Sequence, residues 1–125
     1  MNEQSCSSFT SEELAFLEGV AEKLGGERAE RLLRDVEMAA VRRDGDLLCI
    51  DLPGYDRPER PCQRALPFEG RLRAADGGAT SVFVNMDSND RLFELEFVWW
   101  EGLSKEPDWS TLRIVPEAPM GLSEW

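Results

Sequence analysis

The chain of 125 residues contains no histidine. That removes Ser-His-Asp and Cys-His nucleophile systems, imidazole metal ligands and the usual base at neutral pH. Cysteine is scarce: Cys6, Cys49 and Cys62 are an odd set with no close pair, which argues against a disulfide framework and against a zinc knuckle. Positive charge is short as well. Fourteen Lys and Arg stand against twenty-five Asp and Glu, a formal net charge of −11. Nucleic acid and anionic membrane are therefore disfavoured as partners. No apolar run approaches the ~20 residues of a membrane-spanning helix. The opening Met-Asn-Glu-Gln-Ser-Cys-Ser-Ser lacks the basic region and apolar run of a signal peptide, so a cytoplasmic location is expected. Gly25-Gly26 and Gly77-Gly78 lack the rest of any phosphate-loop fingerprint. Asp87-Ser88-Asn89-Asp90-Arg91-Leu92 superficially matches a calcium loop, but Arg91 stands at the fifth position and no glycine follows it. No cofactor and no metal are expected.

What is present is a globular composition, 42% hydrophobic and 9% aromatic. The length fits a single domain, 1–125, with a loose N-terminus at 1–8, a proline-rich crossing loop at 53–67 and an extended tail at 103–125. The acidity is unevenly placed. Residues 1–30 hold seven acids against two bases, residues 31–80 nine against nine, and residues 81–125 nine against three.

The helical signals come first. Thr10-Ser11-Glu12-Glu13 reads as a capping box, and Phe9 and Leu14 are spaced as a hydrophobic staple across it. Leu14, Leu17, Val20, Ala21 and Leu24 follow at helical spacing, and Gly25-Gly26 ends the helix. A second helix is expected from about Glu27 to Glu37, with Ala29, Leu32, Leu33 and Val36 as its apolar stripe. Arg28, Arg31 and Arg34, interleaved with Glu27, Glu30 and Asp35, read as a solvated face of local ion pairs.

Strand signals follow. Asp44-Gly45-Asp46 between two apolar runs predicts a hairpin that ends at Pro53-Gly54. After the crossing loop, Phe68–Ala74 resumes a strand, and Asp76-Gly77-Gly78 turns it into Ser81–Trp100. That stretch reads as two strands joined at Asp87-Ser88-Asn89-Asp90. Period-two alternation sets Phe93, Leu95, Phe97 and Trp99 on one face, and Leu92, Glu94, Glu96, Val98 and Trp100 on the other. A short strand is expected at Thr111–Val115. Helices segregated from strands joined by tight turns define an α+β domain: two N-terminal helices packed on one face of a mainly antiparallel sheet of about five to six strands.

Five elements carry a resemblance: the Thr-Ser-Glu-Glu-Leu-Ala-Phe-Leu helix, the second helix ending Val-Glu-Met-Ala-Ala-Val, the Asp-Gly hairpin, Ala65-Leu66-Pro67, and Leu92-Phe93-Glu94-Leu95-Glu96. From Phe9 to Gly102 the chain resembles a group of small bacterial proteins of unknown function with a helix pair and an antiparallel sheet. Small acidic proteins of this type are similar in general to immunity proteins of bacterial toxin systems. That similarity implies a non-enzymatic inhibitor with a basic protein partner.

The candidate partner-binding residues are Asp87, Asp90, Glu94, Glu96, Trp100, Glu101 and Asp108, six acids and one tryptophan of the most acidic third. Glu94 and Glu96 also have the spacing of an acid–base pair, about 6.5–7 Å by strand rise, but carboxylates on an open sheet face are the ordinary outcome. Two other readings stand beside this one. A small enzyme or ligand pocket can form beneath the crossing loop, lined by Tyr55, Asp56, Arg57, Glu59 and Arg64. Self-association through Val98 and Trp100 would make a weak homodimer of the expected monomer. For Trp100 itself, packing beneath the Leu103–Trp125 tail is the favoured expectation, with an interface anchor as the alternative.

Overall fold

The computed structural model describes residues 7–59 and 63–117. Its elements are α1 (Ser11–Leu24), α2 (Gly26–Met38), β1 (Ala40–Asp44), β2 (Leu47–Asp51), β3 (Arg64–Ala65), β4 (Phe68–Ala74), β5 (Ala79–Met86), β6 (Leu92–Trp99) and β7 (Pro107–Pro116). The fold class is α+β as expected, with two helices on a wholly antiparallel sheet.

The capping box forms. The Glu13 amide donates to Thr10 Oγ1 at 3.1 Å, and the Thr10 amide donates to Glu13 Oε1 at 2.9 Å. Glu13 also receives Arg43 of β1 at 2.8 and 2.9 Å, which ties the helix start to the first hairpin. Burial pushes the Glu13 carboxyl pKa up, but the bonds from Arg43 and Thr10 outweigh it and hold the group below its ordinary value. Thr10→Ala is expected to cost about 1 kcal/mol of stability, read as a lower denaturation midpoint at unchanged slope. Gly25 and Gly26, at φ +67° and +65°, make the sharp joint between the helices.

The strand order is β1-β2-β6-β5-β4-β7, with β3 beside the far end of β5. β3 and β4 are one interrupted strand: the Leu66 amide still donates to the Val84 carbonyl at 2.9 Å, and pairing breaks at Pro67, which has no N–H. The short β3 and a ten-residue β7 bring the sheet to seven strands. Of the N-terminal segment expected to be loose, Ser7 exchanges two 2.8 Å backbone bonds with Val41; residues 1–6 lie outside the described residues.

The helices cover the face of the sheet that carries Leu95 and Phe97. α1 lies on β4 and β7, and α2 lies toward β6. Phe16, Leu17, Val20, Leu32, Val82 and Leu95 are fully buried between the layers. Phe16 sits where Gly70 leaves room, since a Cβ there would stand 2.7 Å from Phe16 Cε1. Two strand residues depart from the expected pattern. The β5–β6 register shifts between Asn85 and Met86, so Leu92 is fully buried and pairs with buried Met86. Phe93 is only half-buried and lies under the Arg57 guanidinium, 5.0 Å from its ring centre.

Candidate functional site

At one end of the sheet, the β5–β6 turn closes a polar network. Asp87 Oδ1 accepts from the Asn89 and Arg91 amides at 2.8 and 3.0 Å, as a turn-forming aspartate does. Its Oδ2 accepts from the Tyr55 hydroxyl at 2.7 Å and from Arg57 Nη1 at 2.9 Å. The side chain is 0% exposed. Burial pushes its pKa up, and the bonds from Tyr55, the Arg91 amide, Arg57 and the Asn89 amide outweigh this, so the carboxyl is held below its ordinary value. Four donors fill the roughly four acceptor positions of a carboxylate, which leaves none to take a proton from a substrate. Arg57 also donates to the Ile50 and Leu92 carbonyls at 2.8 and 2.6 Å. The crossing loop is thereby clamped to the turn.

Of the α2 arginines, Arg34 stands exposed as expected, but Arg28 and Arg31 do not pair within the helix. Arg28 and Arg31 reach Asp90 at 2.7–3.1 Å, and Asp90 itself takes the left-handed φ of +61°. Asp35, buried on α2, accepts Arg91 at 2.8–3.0 Å and the Leu92 amide at 3.0 Å. An open groove of about 460 Å³ lies beside this network, lined by Arg28, Arg64, Asp87 and Asp90 among others. Of the pocket residues expected from sequence, Arg64 lines it. Tyr55 and Arg57 are turned onto Asp87, and Asp56 and Glu59 stand exposed elsewhere on the loop.

The Glu94 face is closed at several positions. Glu94 is buried and accepts from Asn85 Nδ2 at 2.9 Å and from Gln63 Nε2. Glu96 is half-buried and accepts from Asn85 Nδ2 at 3.3 Å. Buried Glu69 and Arg71 pair at 3.1 Å on the same face, and burial pushes the Glu69 carboxyl up against the opposing pull of Arg71. The described part of the tail does not lie over this face. It forms β7 and extends the sheet beyond β4. Residues 118–125 lie outside the described residues.

The other end of the sheet is exposed. Here the β4–β5 turn meets the β6–β7 connection, and Asp76 joins them. Its carboxylate accepts from the Gly78, Leu103 and Ser104 amides at 3.1, 2.7 and 3.0 Å. Those backbone bonds, from Ser104 and Leu103 first, hold its pKa below the ordinary value. Gly102, at φ +85°, lets the chain turn around that carboxylate. The result presents Leu103 97% exposed beside Trp100 at 47%. Trp100 is fixed by its indole N–H, which donates to Ser81 Oγ at 2.8 Å. Glu101, Glu106 and Asp108 are exposed on the connection and the start of β7. Glu101 accepts from the Ala79 amide at 3.4 Å and approaches Arg73 at 3.9 Å, and Asp108 accepts from Ser110.

The seven candidate residues are therefore split. Trp100 and Glu101 stand together after β6, Asp108 stands exposed on β7 with β5 and β4 between, and Glu96 is half-buried on β6, whereas Asp87, Asp90 and Glu94 are held by internal partners. Leu103 was missed. A single leucine between glycine and serine in a loop carries no periodic signal. Among the described residues, no cluster of three or more Cys, Asp and Glu is placed to hold a metal ion, and no helix is long and apolar enough to cross a membrane. What fold and site define is an acidic α+β domain with an apolar-tipped turn. No family model, curated protein or solved structure matches the chain.

Proposed function

We propose that this chain is a non-enzymatic binding protein that inhibits a basic protein partner, in the manner of the immunity proteins and antitoxins of bacterial toxin systems. The supporting observation is how the charges are distributed. Among the described residues, six arginines (Arg28, Arg31, Arg43, Arg57, Arg71 and Arg91) make ion pairs of 2.7–3.1 Å with five carboxylates of the chain itself. The acids outnumber the bases by twenty-five to fourteen, and residues 81–125 hold nine acids against three bases, so the acidic excess accompanies the turn.

Trp100 and Leu103 supply the apolar anchor that such an interface needs at its centre, and Glu101, Glu106 and Asp108 supply the polar rim. An acidic inhibitor gains fast association with a basic toxin and occupies the track that holds the toxin's nucleic acid. A cytoplasmic location, with neither nucleic acid nor membrane as partner, belongs with this reading.

The test is affinity for the basic protein captured by the immobilised chain from the source cell. Trp100→Ala with Leu103→Ser is expected to weaken it by at least about 2 kcal/mol, through faster dissociation. Glu101→Lys with Asp108→Lys is expected to slow association and flatten its salt dependence. Unchanged kinetics in both variants would remove the turn as the site.

A further inference from the structure

Among the described residues the exposed large hydrophobic side chains are Leu33, Met38, Trp100 and Leu103. Two form the turn described above. The other two are on α2. Leu33 lines an opening of about 500 Å³ between α1 and α2, and Met38 directly follows Glu37, which also lines it. The apolar walls are Phe9, Leu14, Leu33 and Val36, and Glu18 of α1 and Glu37 of α2 stand exposed among them. No cation among the described residues pairs with either carboxylate. Arg43 reaches the Ser8 carbonyl at this end, 3.2 Å away, but its charge is held by Glu13. Arg34 lies one turn from Glu37 and is not part of the lining.

We infer that this opening docks a cationic amphipathic segment of a partner protein. Apolar side chains one helical turn apart would seat against Phe9, Leu14, Leu33 and Val36. Lysine or arginine stems would lie along the apolar wall with their charges at Glu18 and Glu37, the arrangement those long side chains favour. A segment polar on every side would leave the walls wet. An acidic segment would be repelled by both carboxylates. Two helices flanking an apolar opening also have the form in which an amphipathic helix is received. The inference takes from the proposed function only the source of the segment, a basic partner; the opening contains none of the residues of the Trp100 turn.

The test uses the full chain labelled for NMR and a synthetic peptide of about four helical turns with leucines on one side and lysines on the other. Its controls are the same residues scrambled and a version with glutamate in place of lysine. The cationic amphipathic peptide is expected to shift the resonances of Leu14, Leu33 and Val36 and to bind more weakly as salt rises. Glu18→Lys with Glu37→Lys is expected to weaken it about tenfold or more. Leu33→Ser, at an exposed position whose folding circular dichroism can verify, is expected to weaken it as well. Trp100→Ala with Leu103→Ser should leave it unchanged. Equal binding of the scrambled peptide, or an affinity indifferent to Glu18 and Glu37, overturns the inference. Shifts confined to Trp100 and Leu103 also overturn it while leaving the turn's proposed role standing. Unchanged partner kinetics in the turn variants, with intact peptide binding here, remove only that role.

Discussion

Asp87→Ala is expected to destabilise the chain by about 3–5 kcal/mol, the range for breaking a buried ion pair by removing one partner. The side chain is fully enclosed, and its loss strands Arg57, the Tyr55 hydroxyl and the amides of Asn89 and Arg91. Urea denaturation should show a lower midpoint at an unchanged slope; a loss below about 1 kcal/mol would mean that water replaces the carboxylate.

The pH dependence has a definite sign. The folded carboxyl is held below its ordinary 3.8, so in acid the unfolded chain takes up the proton first. The contribution of Asp87 is complete above that ordinary value and is lost as pH falls through the lower folded value. The difference between wild type and variant should be flat from neutral pH down to about pH 5 and shrink below it. Asp90, depressed chiefly by its bond from Arg28 against the opposing effect of burial, and Glu13 act in the same direction. Glu69, raised by burial, acts in the opposite one: its contribution is present below the ordinary value and lost as pH rises through the higher folded value.

The second large effect lies where α1 crosses β4. Phe16→Ala is expected to cost about 3–5 kcal/mol, because the emptied volume is enclosed by the sheet and cannot collapse freely. Gly70→Ala fails for the opposite reason. The added methyl group would stand 2.7 Å from Phe16 Cε1 and 3.1 Å from Leu112 Cδ1, and overpacking of this kind costs about 1–3 kcal/mol. Phe16→Leu withdraws the ring edge from that space. Combined with Gly70→Ala it should cost less than the two changes separately, a coupling that a double-mutant cycle measures by thermal denaturation. Strict additivity would show that the two residues do not share the space.

The parts of this fold that were legible in the sequence are those written in local chemistry. Thr10 and Glu13 mark a helix start because both bonds of the capping box form within four residues. Gly25-Gly26 marks a joint because two successive left-handed residues are required there. Asp44-Gly45-Asp46 announced a hairpin, which closes with Gly45 at φ +62° as the first residue of a two-residue loop. Leu95, Phe97 and Trp99 were placed on the helix-facing side by alternation alone. Alternation failed only at Leu92 and Phe93, where the β5–β6 pairing shifts between Asn85 and Met86 and breaks the regular ladder.

The candidate site was legible only in part, for a different reason. Asp87, Asp90 and Glu94 are acids of an acidic segment, and composition says nothing of what crosses the fold to meet them. Arg28 and Arg31 lie far earlier in the chain than Asp90, and Arg57 and Gln63 come from a loop without periodicity. Local pairing within α2 was the simpler expectation for its arginines, and at Arg28 and Arg31 long-range pairing with Asp90 replaced it. Trp100 and Glu101 stayed on the surface where the connection after β6 is held by backbone bonds to Asp76, and Asp108 stayed exposed at the start of β7.

The strand order has a consequence for biosynthesis. β2 pairs with β6, and β3, β4 and β5 all intervene in the sequence. As the polypeptide leaves the ribosome, the helices and the β1–β2 hairpin emerge first, with Leu48 and Ile50 lacking the strand that completes their cover. The nascent N-terminal half therefore carries an open, unpaired β2 edge until Leu92–Trp99 has been synthesised. Chains that stall before that point present an adhesive edge to one another, and translation speed through the crossing loop sets how long they do so.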